Sequence, residues 1–191
     1  MYYLFDMDGV LVDSKDAWFS AFNEIGGISR EEFENRYWGR DLQKNIEELD
    51  TSRKKLCSRI FPKHLSCIDK IEGVEEVLTA LDGPIALITN TTSKCTREIL
   101  SGYGLDKYFD AMITSDQVEE GKPHPSMVRK ALEELGAEPS QSIVIGDSPH
   151  DMKAGSNAGC ITIGIGIKGD FRIESIRELP GLLEELAERT P

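Results

Sequence analysis

The chain has 191 residues, 39 % of them hydrophobic and 29 % charged, with 34 acidic against 22 basic side chains for a net charge of −12. That length suits one main core with an insertion. The acidic balance disfavours a broad nucleic-acid-binding surface and repels anions at long range, so a phosphate site here needs local positive charge or a metal, and no apolar stretch approaches a bilayer span.

Tyr2-Tyr3-Leu4-Phe5 reads as a short strand, and two carboxylates two positions apart follow at once in Phe5-Asp6-Met7-Asp8-Gly9-Val10-Leu11-Val12-Asp13-Ser14. Alternating side-chain direction in an extended segment puts Asp6 and Asp8 on one face, and Gly9 lets the backbone leave sharply. From this stretch alone a turn and a chemical site are both open. Between about Ser14 and Glu72 helical spacing dominates. Ala17, Trp18, Ala21, Phe22 and Ile25 make one apolar stripe, and further helices are expected over Glu31 to Trp38, Leu42 to Leu49 and Arg53 to His64, with interruptions at Gly26-Gly27, Gly39 and Pro62. An insertion directly after the first strand would lie over its acids as a lid. Trp18, Phe22 and Tyr37 read as the core of that lid, with a platform for the substrate as the other reading. Trp38-Gly39-Arg40 reads either as a hinged loop whose Arg40 reaches a substrate carboxylate or phosphate, or as a helix break with a surface arginine.

From about Ile71 onward short β-rich runs alternate with helical patterns. Strands are expected over Ile85 to Thr89, Ala111 to Thr114, Ser142 to Ile145 and Cys160 to Ile165. Helices are expected over Glu75 to Leu81, Lys94 to Tyr103, Ser126 to Leu135, Asp151 to Ala158 and Leu182 to Glu188. This alternation predicts a parallel sheet with helices on both faces, whose ligands bind at the carboxyl ends of strands. Cys57, Cys67, Cys95 and Cys160 show no metal-binding or redox spacing, and a reduced, cytoplasmic setting is expected.

Further strand ends supply polar groups to the same edge. Thr89-Asn90-Thr91-Thr92-Ser93 leads into a helix, where hydroxyls and free N–H groups either bind an anion or cap the helix. Gly121-Lys122-Pro123-His124-Pro125 puts one lysine in a proline-stiffened loop, open to a solvated reading, while His124 reads as structural. In Gly146-Asp147-Ser148-Pro149-His150-Asp151, capping accounts for Asp151 but less well for Asp147, which points at the edge where Asp6 and Asp8 already concentrate charge. Such carboxylates repel unless a cation joins them, and oxygen-only ligands make Mg²⁺ the natural candidate.

Taken together these four segments resemble, in order, the four motifs of the haloacid dehalogenase-like phosphohydrolases: Asp6 to Ser14 the first, Thr89-Asn90 the second, Lys122-Pro123 the third and Gly146 to Asp151 the fourth. The resemblance covers nearly the full length. It implies a Rossmann-like α/β core over residues 1–13 and 73–191 and a small α-helical cap over residues 14–72, like that of the phosphoglycolate phosphatase and β-phosphoglucomutase branch. It further implies that Asp6 is the nucleophile that forms a phosphoaspartyl intermediate, that Asp8 carries the proton, and that Thr89, Asn90 and Lys122 hold phosphoryl oxygens. Mg²⁺ would sit on Asp6, the Asp8 carbonyl and Asp147, with Asp151 acting through water or from behind. The implied partner is a small phosphorylated metabolite, a phosphoglycolate-like acid or a sugar phosphate, handled by a monomer or small homo-oligomer. Dehalogenases of this superfamily lack the second acid, which Asp8 supplies here. A phosphosugar mutase keeps all four motifs and stays open, as does a phospho-ligand-binding module without turnover.

Overall fold

The computed structural model describes residues 1–50, 55–56 and 61–189. The chain opens with β1 (Tyr2–Phe5) and β2 (Val12–Asp13), runs through α1 (Lys15–Gly26), α2 (Arg30–Glu32) and α3 (Leu42–Glu48), and returns at β3 (Asp69–Lys70). Strands and helices then alternate as α4 (Val74–Ala80), β4 (Ile85–Thr89), α5 (Ser93–Tyr103), β5 (Ala111–Thr114), α6 (Ser126–Leu135), β6 (Ser142–Gly146), α7 (Pro149–Ala158), β7 (Ile161–Ile165), β8 (Phe171–Ile173) and α8 (Leu179–Arg189).

Six strands form one sheet in the order β5-β4-β1-β6-β7-β8, and every pairing in it is parallel. β1 lies between β4 and β6, with Phe5 opposite both Leu87 and Ile145. The chain therefore departs on one side of β1 and comes back on the other, a topological switch point that leaves a crevice at the strands' carboxyl ends. Three adjacent strands deliver the Asp6, Thr89 and Asp147 segments to that crevice.

Burial follows the pleat. Tyr3 and Phe5 pack on one face with Leu87, Ile143 and Ile145, whereas Leu4 packs on the other with Ala86, Ile88 and Val144. All residues of β4 and β6 are buried, which is why both read as unbroken runs instead of alternating ones. α6 covers the second face with Met127, Val128, Ala131 and Leu132, and it ends at Gly136, whose φ of 63° lets its N–H reach the Leu132 and Glu133 carbonyls. Burying each such Leu or Val contributes about 1.5–3 kcal/mol. The helical cap shares the first core: Trp18, Phe22, Phe33, Tyr37 and Phe61 belong to the same apolar cluster as Phe5 and Met7.

Several local features depart from the sequence reading. β2 and β3 pair antiparallel at the base of the cap, Val12 opposite Lys70 and Asp13 opposite Asp69, and two-residue strands carry no periodic signal. β8 adds a three-residue edge strand beyond β7, equally short. The helix expected over Glu31 to Trp38 is one α-helical turn, α2, continued by a π-helical stretch, Phe33–Tyr37. Of the helix expected from Arg53 to His64, residues 53–54 and 57–60 lie outside the described residues, and Phe61–Cys67 is a 3₁₀ segment.

Candidate active site

Asp6 follows the last residue of β1, and its backbone N–H donates to the Ile145 carbonyl of β6 (2.9 Å), so the sheet ladder itself fixes where its carboxylate begins. Oδ1 of Asp6 accepts from the Met7 N–H at 2.7 Å and lies 2.7 Å from Lys122 Nζ. Lys122 is 3 % exposed. Its ammonium also lies 2.6 Å from Asp151 Oδ1 and donates to the Ile88 carbonyl at 2.9 Å, so one lysine is ion-paired with two carboxylates and anchored by a carbonyl. Asp151 is fully buried, and its second oxygen accepts from the N–H and hydroxyl of Ser148 at the start of α7. The helix cap and the lysine thus share one carboxylate.

Asp147 stands beside this array. Oxygens of Asp6, Asp147 and Asp151 come within 4.8 Å of one another, a three-carboxylate group able to hold a cation. The approach depends on Gly9, at φ +81°, because a Cβ there would fall 1.9 Å from Asp147 Oδ2. It depends also on Gly146, where a Cβ would fall 2.3 Å from that of Asp151.

Asp8 accepts four hydrogen bonds. The Ser14 hydroxyl and the Trp18 indole N–H (3.3 Å) donate to Oδ1, and the hydroxyls of Thr91 (3.0 Å) and Thr89 (3.4 Å) donate to Oδ2. Ser14 and Trp18 are four residues apart, so one face of the first cap helix meets the core's acid.

Burial sets the electrostatics. Desolvation, then the Asp151 charge, push Asp6 well above the usual carboxylate range, with Lys122 pulling the other way. Burial also raises Asp8, against the hydrogen bonds from Ser14 and Thr91. It opposes the charge of Lys122, but Asp151 and Asp6 outweigh it and hold the lysine above its ordinary value. Asp147 is raised to about 7 by burial and by Asp151. Three close acids facing one ammonium leave a surplus of negative charge that a divalent cation would relieve.

A cavity of about 280 Å³ lies between this rim and the cap. Asp6, Asp8, Asn90, Lys122 and Asp147 line its core side, and Trp18, Phe22, Phe33, Tyr37 and Trp38 its cap side. Thr89 and Asp151 stand behind this wall, each fully buried. Arg40 lines the cavity but pairs with Glu48, Nη2 to Oε1 at 2.9 Å. Asn90 ties the loops together: its amide donates to the Gly39 carbonyl (3.2 Å) and the Lys122 carbonyl (2.9 Å), and its Oδ1 accepts from the Lys122 N–H (2.8 Å). The Gly121 N–H donates to Asp41 Oδ2 across the same seam (3.0 Å).

Residue types alone did not single out Ser14, Thr91, Asp41 or the polar use of Trp18. Thr91 had a visible signal, because it lies two residues after Thr89 and so on the same side of a chain leaving β4. Asp41 had none, since its partner is 80 residues away. His124 sits on the surface, near Glu120 and Ser126.

An open parallel α/β sheet that gathers acids and a buried lysine at a cavity under a helical cap is the architecture of an α/β enzyme. The chain belongs to the haloacid dehalogenase-like hydrolases, whose family model matches residues 3–165. Among its relatives, the pyrophosphatase PpaX of Halalkalibacterium halodurans is 28 % identical over 95 % of this chain and 94 % of its own. A crystal structure of a subfamily IA hydrolase from Geobacter sulfurreducens superposes with a TM-score of 0.79 at 26 % identity, covering 95 % of this chain and 98 % of that one. CbbY of Rhodobacter sphaeroides, crystallised with phosphate, shares the fold at a TM-score of 0.76 and 21 % identity, covering 93 % of this chain and 95 % of its own. No helix among the described residues is long and apolar enough to cross a membrane.

Proposed function

We propose that the protein is a Mg²⁺-dependent phosphatase that hydrolyses a small phosphate monoester through a phosphoaspartyl intermediate on Asp6. The observation that carries this reading is the buried Asp6–Lys122–Asp151 array opening, beside Asp147 and Asp8, onto one cavity. Lys122 fixes Asp6 at the cavity floor through Oδ1 and offers positive charge to a phosphoryl group placed over it. An Asp6 oxygen attacks phosphorus in line as the bond to the leaving oxygen breaks. Asp8 gives its proton to that leaving oxygen, then takes one from the water that attacks phosphorus and frees Asp6. The hydroxyls of Ser14, Thr89 and Thr91 can donate to ionised Asp8 or turn to accept from its protonated form, so one network serves both steps.

Asp6, Asp147 and the Asp8 carbonyl would hold the ion, while Asp151 is engaged by Lys122 and Ser148. Mg²⁺ would supply charge neutralisation for the acids and the phosphoryl oxygens. Asn90 serves as the pin that orders the Lys122 loop, and Thr89 as a support for Asp8. Residues 14–72 act as the cap, and the setting is cytoplasmic, a reading carried by the scattered cysteines of the sequence.

Phosphate release from an aryl phosphate and a panel of small phosphomonoesters, with and without Mg²⁺, tests the reading. Release is expected only with the ion, and Asp6→Asn is expected to abolish it. Full activity in that variant would remove Asp6 as nucleophile. Isomerised sugar phosphate in place of free phosphate would mark a mutase. Pyrophosphate belongs in the panel because the PpaX relatives are named for it.

A further inference from the structure

The loop that carries Lys122 is held from two sides. From the core, the Asn90 side chain grips the Lys122 backbone, its Oδ1 accepting from the Lys122 N–H (2.8 Å) and its Nδ2 donating to the Lys122 carbonyl (2.9 Å). From the cap, Asp41 Oδ2 accepts from the Gly121 N–H at 3.0 Å. Asp41 is 7 % exposed and stands just before α3, where its carbonyl accepts from the Asn45 N–H. An acid at the start of a helix ordinarily serves the free amides of that helix. Here one of its oxygens is turned to a backbone N–H 80 residues along the chain.

The seam is tight at this point. A Cβ on Gly121 would fall 2.5 Å from Asn90 Oδ1 and 2.6 Å from Asp41 Oδ2, so only a glycine lets both side chains close on the loop. Two more bonds tie the same cap segment down, from the Leu42 N–H to the Asn90 carbonyl (3.3 Å) and from Asn90 Nδ2 to the Gly39 carbonyl (3.2 Å). The loop is also closed on itself, the His124 N–H donating to the Gly121 carbonyl (3.0 Å), so a displacement of Gly121 carries Lys122 with it. The Lys122 ammonium meets Asp6, Asp151 and the Ile88 carbonyl at 2.7, 2.6 and 2.9 Å, an arrangement that tolerates little movement of its backbone. Among the described residues that line the cavity are Arg40 and Leu42, on either side of Asp41, but neither Asp41 nor Gly121.

We propose that Asp41 is a positioning residue for Lys122, a strut from the cap that holds the Gly121–Lys122 peptide, and with it the ammonium, where the phosphoryl group is met. This rests on the phosphatase reading above and gives part of its rate to a residue outside the cavity. Asp41 acts through the lysine loop, and Lys122 serves the phosphoryl group that every substrate shares. Loss of the strut therefore slows all substrates by one factor, whatever their leaving group, and falls on kcat more than on KM.

The test measures kcat and KM of the wild type, Asp41→Ala, Asp41→Asn and Gly121→Ala on para-nitrophenyl phosphate, glycerol phosphate and a hexose phosphate with Mg²⁺. Residue-resolved amide hydrogen exchange of the metal-free proteins and thermal melts accompany it. Asp41→Ala should lower kcat about tenfold on all three substrates alike, with KM within about twofold, and the Gly121 and Lys122 amides should both exchange about tenfold faster. Asp41→Asn keeps an acceptor for the Gly121 N–H and should stay within about threefold of the wild type on every readout. Gly121→Ala forces the seam apart from the core side with the cap unaltered, and should reproduce the uniform loss in kcat even if Asp41→Ala melts below the assay temperature. A loss that differs between leaving groups, or that appears in KM, would overturn the inference and assign Asp41 to shaping the pocket through Arg40 and Leu42. An unchanged kcat in Asp41→Ala, or faster exchange at Gly121 with none at Lys122, would equally remove Asp41 as the strut; each of these outcomes leaves the phosphatase reading standing. A wild type inert towards every phosphorylated substrate would take down that reading, and this role with it.

Discussion

The two walls of the cavity are built on opposite terms. The core wall is charged, and its geometry is over-determined: Asp6 is fixed by the sheet and by Lys122, Asp151 by a helix cap and by the same lysine, and Asp8 by four donors. The cap wall is aromatic, and its arginine is tied to Glu48. The difference teaches where specificity and chemistry are separated. Preorganised charge on rigid strand ends suits a reaction common to many substrates, whereas adaptable packing on helices suits choosing among them.

If that division holds, substitutions in the core wall should cost far more than those in the cap. The largest effect is expected from Lys122→Met, which leaves Asp6 and Asp151 buried without their counter-ion: phosphate release should disappear, and urea unfolding should show a loss of about 3–5 kcal/mol. An active and undiminished variant would break the comparison at its strongest point. Next comes Asp8→Asn, which keeps the shape and removes the proton carrier, and should lower kcat by about a hundredfold to ten-thousandfold with little change in melting temperature. Trp18→Phe, on the cap, keeps a ring against Phe61 and deletes only the indole N–H at 3.3 Å from Asp8 Oδ1, so kcat should fall by no more than about tenfold. A loss as deep as that of Asp8→Asn would show that the cap shares in the chemistry and blur the division.

The smallest expected effect concerns pH. Asp147 is raised from 3.8 to about 7 in the folded protein, so between those values the native state binds more protons than the unfolded one. Stability of the metal-free protein should therefore decline as pH rises from about 4 towards about 7, and Mg²⁺ should restore more at the upper end than at the lower. Melts that rise over that interval without Mg²⁺ would contradict the surplus charge assigned to the core wall.

Much of the core wall was legible in the sequence, because its residues follow strand ends within a few positions and the strands announce themselves by buried apolar runs. Asp6, Asp8 and Asp147 were found that way, while Lys122, eight residues past its strand, gained a role only through the family resemblance; all four line one cavity. The roles within the wall were less visible. Nothing local says that Asp151 spends one oxygen on Lys122 and the other on Ser148, or that Asn90 pins the Gly39 loop. The cap wall was hardest to read. Helical periodicity located Trp18, Phe22 and Tyr37 as packing residues, and all three are buried, but it could not show that the same rings also line the cavity. The β2–β3 ribbon and β8 were missed for a simpler reason, since two or three residues cannot display a period.

The most direct measurement is an acid quench of the enzyme during turnover of a phosphate-labelled substrate with Mg²⁺, followed by peptide mapping. The label should be found on the Asp6 carboxylate, on no other residue, and should be missing from Asp6→Asn. Label on a different side chain, or steady turnover with no labelled protein at any quench time, would contradict the central claim that Asp6 bonds to phosphorus.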